Sequence, residues 1–191
     1  IVYGEAIALL AGDALQALAF ELTAQTPATR RHTTAAMVAE LARTSGSLHL
    51  VGGQVADLEG EQKKLPLEDL RFIHEGKTAA LLTTSLQLGA MSADASAEEL
   101  KALHDFGMST GLAFQIIDDL LDVTQTSEKL GKSVGKDVAS EKSTYPALMG
   151  LEASRAEAHR LTAAAHEALT TFGDQGARLR QLADYLLNRD Y

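Results

Sequence analysis

The sequence contains no cysteine and no tryptophan, only 3 prolines, and aromatic residues at 5% of its 191 positions. Without cysteine there is no disulfide framework, no thiolate nucleophile and no Cys-based zinc site, a composition that suits a reducing compartment. Cations are scarce as well: 17 Lys plus Arg stand against 26 Asp plus Glu, a formal charge of -9. That balance argues against nucleic-acid partners and against capture by anionic lipid, so an anionic ligand has to be held locally by a few placed cations or a metal. The longest uncharged stretch, Thr78 to Ala93, carries Thr83, Thr84, Ser85 and Gln87. It falls short of the roughly 18 apolar residues of a membrane span, so no stable membrane insertion is expected. The opening Ile1-Val2-Tyr3-Gly4-Glu5 has no initiator Met and no leader signal and reads as the interior of a longer chain.

Ala and Leu dominate, hydrophobic residues reach 46% and charged residues 23%. This is enough apolar surface to offset the entropy of ordering the backbone. β-branched residues are too scattered to build alternating strands, so the expected fold is all-α, a single helical domain over residues 1–191. Apolar positions at helical spacing run from Ala6 to Leu22 and stop before Pro27; a second helix is expected over Arg30–Thr44. Gly46 and Gly52-Gly53 punctuate the chain, with a short helix near Gln54–Glu59. Leu67 to Met91 reads as one long helix entered after Pro66. Ser96 and Glu99 form a capping-box signature for a helix reaching about Val123. The polar stretch Gln125–Thr144 is expected to be a loop, too long for a plain connection, and helices resume at Pro146–Leu151, Arg155–Phe172 and Arg178–Asn188.

Within the Ser96-capped helix, Gln115, Asp118, Asp119 and Asp122 fall at i, i+3, i+4 and i+7, so one narrow stripe carries an amide and three carboxylates. The other residues between Gly111 and Val123 are apolar or Gly. Like charges at this spacing repel, and carboxylates on an otherwise apolar helix need cations or a cavity. A hard divalent cation resolves the conflict. With oxygen ligands and no cysteine, Mg²⁺ bridging to phosphate oxygens is the expected ion. Lysines that can meet a Mg-bound phosphate follow at Lys132, Lys136 and Lys142, and Lys77, beside the Thr78 hydroxyl, closes the charged part of its own helix. The alternative for each lysine is a solvated or snorkelling side chain. The six histidines show no convincing metal-ligand spacing, and no Ser/His/Asp order suggests nucleophilic hydrolysis.

The run Phe114-Gln115-Ile116-Ile117-Asp118-Asp119-Leu120-Leu121-Asp122, followed by Gly131-Lys132, Asp137 and Lys142, resembles the second aspartate-rich motif of trans-prenyl diphosphate synthases. Gly76-Lys77-Thr78, Gly52-Gly53-Gln54 with Asp57, and Tyr3-Gly4-Glu5-Ala6 running on to Ala11-Gly12-Asp13 are similar to further motifs of that family, of the farnesyl or geranylgeranyl type. The resemblance implies an antiparallel helical bundle of the isoprenoid synthase type, here without its N-terminal helices, acting as a homodimer; a cytoplasmic location is the default expectation. It implies condensation of isopentenyl diphosphate with an allylic prenyl diphosphate. On that likeness Asp118, Asp119 and Asp122 hold Mg²⁺, Lys77, Lys132 and Lys142 contact diphosphate, and Thr78, Gln115 and Asp137 support them. Asp118, Asp119 and Lys77 then carry the catalysis. Gly107 and Gly111, on the Gln115 face, are expected to leave room for the growing chain. The family's first aspartate-rich motif and the arginine pair that follows it have no counterpart, since Arg30-Arg31 lies too far along. The chain thus reads as the C-terminal two-thirds of such an enzyme, with half of its site. Two other readings stay open: a partner-dependent subunit of a heteromeric synthase, and a class I terpene cyclase.

Overall fold

Helices follow one another through the described chain: α1 (Glu5–Gln25), α2 (Thr34–Ser45), α3 (Leu50–Gly60), α4 (Leu67–His74), a π-helical segment (Glu75–Ala79), α5 (Ala80–Ser92) and α6 (Ala97–Leu130). After these come α7 (Tyr145–Met149), α8 (Leu151–Ala168), a 3₁₀ segment (Leu169–Gly176) and α9 (Ala177–Leu187). The structure, a computed structural model, describes residues 2–61, 63–130 and 143–188. Among the described residues there is no strand, and the chain is all-α.

The predicted capping box forms. The Glu99 carboxylate accepts from the Ser96 amide at 2.6 Å, and the Ser96 hydroxyl accepts from the Glu99 amide at 3.2 Å, satisfying two orphan donors at the start of α6. From there α6 runs through the middle of the molecule, packed most heavily against α8 and α5. Its apolar residues enter two core clusters. Leu112, Ala113, Ile116, Ile117 and Leu120 join Leu70, Tyr145, Ala158 and Leu161. Leu103 and Phe106 join Ala165, Leu169 and Ala183. Burying a side chain of this size contributes about 1.5–3 kcal/mol, so these clusters dominate the stability of the bundle.

Several boundaries differ from the sequence expectation for identifiable reasons. α2 begins at Thr34 and not at Arg30, because the Thr33 hydroxyl accepts from the Ala36 amide and caps the helix there. Arg30 and Arg31 instead reach across to the α5–α6 turn. The Arg31 amide donates to Asp94 Oδ1 at 2.7 Å, its guanidinium donates to Asp94 Oδ2 at 2.7 Å, and Asp94 adopts a left-handed φ of 60°. α3 starts at Leu50 and continues through both glycines. The expected loop at Gln125–Thr144 is helical as far as Leu130, and residues 131–142 lie outside the described residues. The expected single helix from Leu67 to Met91 is continuous in space but widens at Glu75–Ala79 into a π turn.

The uncharged stretch Thr78–Ala93 presents one face to the interior, with Ala79, Ala80, Thr83, Thr84 and Met91 buried, while Leu82, Ser85, Gly89, Ser92 and Ala93 are exposed. α1 behaves differently. It is long and apolar enough to cross a membrane by length and composition, with a mean hydropathy of 1.4 over its most apolar 18 residues. Ile7, Leu9, Leu10, Leu15 and Leu22 on it are exposed.

The Arg31 amide hydrogen bond, aided by the Thr29 hydroxyl and the neighbouring guanidinium groups, holds the Asp94 carboxyl below its ordinary value of 3.8. A carboxyl depressed on folding adds stability above its unfolded pKa, and that contribution is lost as pH falls through the folded value. Asp94→Asn, which tolerates the left-handed backbone, is therefore expected to lower the thermal midpoint near neutrality. The gap from the parent should close below pH 3.8, as read from midpoints taken across the acid range.

Candidate active site

The π turn that carries Gly76-Lys77-Thr78 lies directly against the backbone of α3. A Cβ added at Gly53 of α3 would sit 2.3 Å from the Lys77 amide nitrogen and 2.8 Å from the Gly76 carbonyl carbon. No side chain fits there, so only glycine lets α3 approach this closely. π turns inside α-helices are uncommon and cluster at functional sites.

One turn beyond Gly53, Asp57 accepts a hydrogen bond from Lys77 Nζ at 2.6 Å. The Asp57 side chain is 9% exposed and the Lys77 side chain 32% exposed. Lys77 therefore does not snorkel; a buried carboxylate aims it. The two motifs singled out separately in the sequence are the two halves of one ion pair. Such a charge-assisted bond is roughly twice as strong as a neutral one. Thr78, the neighbouring hydroxyl, is half-buried.

α6 covers another side of the same turn. A Cβ at Gly111 would meet Ala79 Cα at 2.6 Å, and one at Gly107 would meet the Thr83 Oγ1 at 2.6 Å. This corrects the expectation for these glycines. The space beside them is filled by helix–helix contact and leaves no room for a growing chain. The pairing of Gly107 with Thr83 and of Gly111 with Ala79 also shows that α5 and α6 run antiparallel.

The polar stripe begins at Gln115, one turn past Gly111, and its first carboxylate, Asp118, lies about two turns past it, roughly 10 Å along α6. Gln115, Asp118 and Asp119 are half-buried and Asp122 is exposed. Gln115 Nε2 donates to Asp118 Oδ2 at 3.4 Å, and the Tyr145 amide donates to Asp119 Oδ2 at 2.9 Å. Among the described residues no three His, Asp or Glu side chains converge closely enough to hold a metal on their own. The stripe is an open row of hard oxygen donors. It fits Mg²⁺, which keeps waters and takes one or two carboxylates together with phosphate oxygens. Lys132, Asp137 and Lys142 lie outside the described residues.

Tyr145 is the residue that sequence reasoning missed. It is 2% exposed, burial pushes its phenol up to about 12, and its ring stacks on His74 with centroids 5.6 Å apart. The only local signal was a buried-type aromatic in a sequence with 4 tyrosines.

Removing one member of the Lys77–Asp57 pair strands the other in a partly dry site, whereas removing both does not. Asp57→Asn and Lys77→Met are each expected to destabilise the fold, and the double variant by less than their sum. The coupling should be about 1 kcal/mol in a double-mutant cycle read by urea unfolding.

The polyprenyl synthetase family profile matches residues 1–181. The chain is 45% identical over 192 residues to the chloroplastic geranylgeranyl pyrophosphate synthase 7 of Arabidopsis thaliana, covering 98% of this chain and 55% of that protein. It is 43% identical over 196 residues to the farnesyl diphosphate synthase of Escherichia coli K12, covering 100% of this chain and 66% of that one. Among solved structures, a geranyltransferase of Helicobacter pylori complexed with magnesium and isoprenyl diphosphate matches with a TM-score of 0.74 at 35% identity, covering 97% of this chain and 61% of that chain. The chain spans between about half and two thirds of the length of these relatives. With residues 1–181 under that profile and its helices matching those of a solved geranyltransferase, the chain belongs to the polyprenyl synthetase family.

Proposed function

We propose that the chain supplies the second aspartate-rich half-site of a Mg²⁺-dependent trans-prenyltransferase, which condenses isopentenyl diphosphate with an allylic prenyl diphosphate. The observation that carries this reading is the Lys77–Asp57 pair on a π turn packed against α6, the helix that bears Gln115, Asp118, Asp119 and Asp122. An aimed cation and a row of hard oxygen donors on adjoining elements suit a ligand that is both anionic and metal-bridged.

In this reading Asp118, Asp119 and Asp122 hold Mg²⁺, Asp118 and Asp119 most directly. When bound, the ion supplies positive charge where the departing diphosphate develops negative charge. Lys77 has three N–H donors; one goes to Asp57, which points the ammonium so that another donates to a diphosphate oxygen. Thr78 and Gln115 add neutral hydrogen bonds, and Lys132, Lys142 and Asp137 complete the polar set around the diphosphate. The allylic C–O bond breaks with its electron pair on the diphosphate. The π pair of isopentenyl diphosphate forms the new C–C bond, and a proton then leaves the adjacent carbon to restore a double bond.

The enzyme is read as a cytoplasmic homodimer without a nucleic-acid partner. α1 carries Asp13 near its middle, and a carboxylate costs about 2.5–3.5 kcal/mol at a bilayer centre. Protein is thus the better cover for its exposed leucines, and a second copy is the proposed cover.

Two measurements test this reading. Asp119→Ala in the full chain is expected to weaken Mg²⁺-dependent diphosphate binding about 100-fold or more, with the helical circular dichroism intact; unchanged binding in calorimetry overturns the assignment. These 191 residues alone are expected to be inactive, since they carry one half-site; a protein that carries both aspartate-rich motifs, incubated with an allylic diphosphate plus isopentenyl diphosphate, should yield a longer linear diphosphate, and a cyclic hydrocarbon from the allylic substrate alone would point to a cyclase instead.

A further inference from the structure

The amide that holds Asp119 belongs to a residue locked in place from several sides. Tyr145 is buried in the cluster that contains Leu70, Leu112 and Ile116. Its ring lies on His74 with an interplanar angle of 23°. The two residues before it are pinned as well. Ser143 Oγ accepts from the Leu65 amide at 2.9 Å and donates to the Lys63 carbonyl at 3.1 Å, and Thr144 Oγ1 accepts from the Ala147 amide at 3.3 Å. The backbone that meets Asp119 is therefore tied both to the α3–α4 connection and to the start of α7.

His74 gives this anchor its direction. It is the last residue of α4 and is 6% exposed. Lys77 follows three residues later, inside the π turn. The Lys77 turn is thus joined through the backbone to His74, which stacks on the Tyr145 ring, and the Tyr145 amide in turn meets the Asp119 carboxylate. Hydrogen bonds to ligating groups from outside orient them and tune metal affinity.

We propose that Tyr145 is a positioning residue. Its amide orients the Asp119 carboxylate, and its ring, stacked on His74, sets the spacing between the carboxylate stripe and the Lys77 turn. The proposal rests on the reading of Asp119 as a Mg²⁺ ligand and deepens it: the anionic and cationic halves of the site are held in register by an aromatic stack outside the site.

The test is calorimetric titration of inorganic diphosphate into the full chain over a range of Mg²⁺ concentrations, with circular dichroism and thermal midpoints alongside. Tyr145→Leu is expected to raise the half-saturating Mg²⁺ concentration about tenfold, and Tyr145→Phe, which keeps the ring, to restore it to within about twofold. A Tyr145→Leu protein with a lowered midpoint but parental Mg²⁺ dependence overturns the proposal, since a merely structural residue would behave that way. If Tyr145→Leu does not fold, His74→Leu decides: a several-fold rise in the Mg²⁺ requirement that His74→Phe reverses supports the proposal, and no rise overturns it. Asp119→Asn separates the two layers. Unchanged Mg²⁺ dependence in Asp119→Asn overturns the site reading and this proposal together; a loss there beside an unaffected Tyr145→Leu overturns this proposal alone.

Discussion

Backbone contact at a π turn is the constraint on which the rest of the site depends. Gly53 brings α3 against Gly76 and Lys77, and Gly111 brings α6 against Ala79, so the turn is held between two helices with nothing larger than the Ala79 methyl as a spacer. Closely packed interiors transmit even small changes of volume. A methyl group at either glycine would push a helix away by displacing main chain, not a flexible side chain. Through this contact Asp57 comes within hydrogen-bond distance of Lys77, and the α6 stripe starts one turn from the place where α6 touches the turn. The ion pair, and the placement of the stripe beside it, are consequences of that packing.

Much of this was legible because the signals were local. The helical spacing of apolar residues, Pro66 at a helix entry and the Ser96–Glu99 box each depend on a few neighbouring residues, and each appears where expected. The aspartate stripe needed only the 3.6-residue period. What was not legible is long-range. Gly107 and Gly111 told the reader that something comes close to α6, but not whether it would be a ligand or Thr83 and Ala79. The π turn has no composition of its own, and the single helix expected from Leu67 to Met91 hides it. The α2 start was misplaced because Arg30 and Arg31 are good helix formers; Asp94, in the turn between α5 and α6, recruits them instead. Tyr145 escaped notice because its role comes from His74 and Asp119, both distant in sequence.

The charge distribution fits a site that selects by geometry. At a formal charge of -9 the chain as a whole repels an anionic ligand, so in the proposed reading attraction is local: an ammonium aimed by Asp57, and a divalent ion on the carboxylate row. The carboxylates that would repel one another without a metal become useful once they share one. Tyr145 and His74 then matter because electrostatic stabilisation falls off when charges are misplaced by even an ångström.

In the proposed reading the Lys77 turn and the α6 stripe address one and the same diphosphate. The most direct measurement is a crystal structure of the full chain with Mg²⁺ and an unreactive allylic diphosphate analogue. The expected result is a diphosphate bridged to Asp118 and Asp119 through Mg²⁺, with Lys77 Nζ donating to it while still paired with Asp57. A diphosphate bound away from either element, or Mg²⁺ found without Asp118 and Asp119 as ligands, would contradict it.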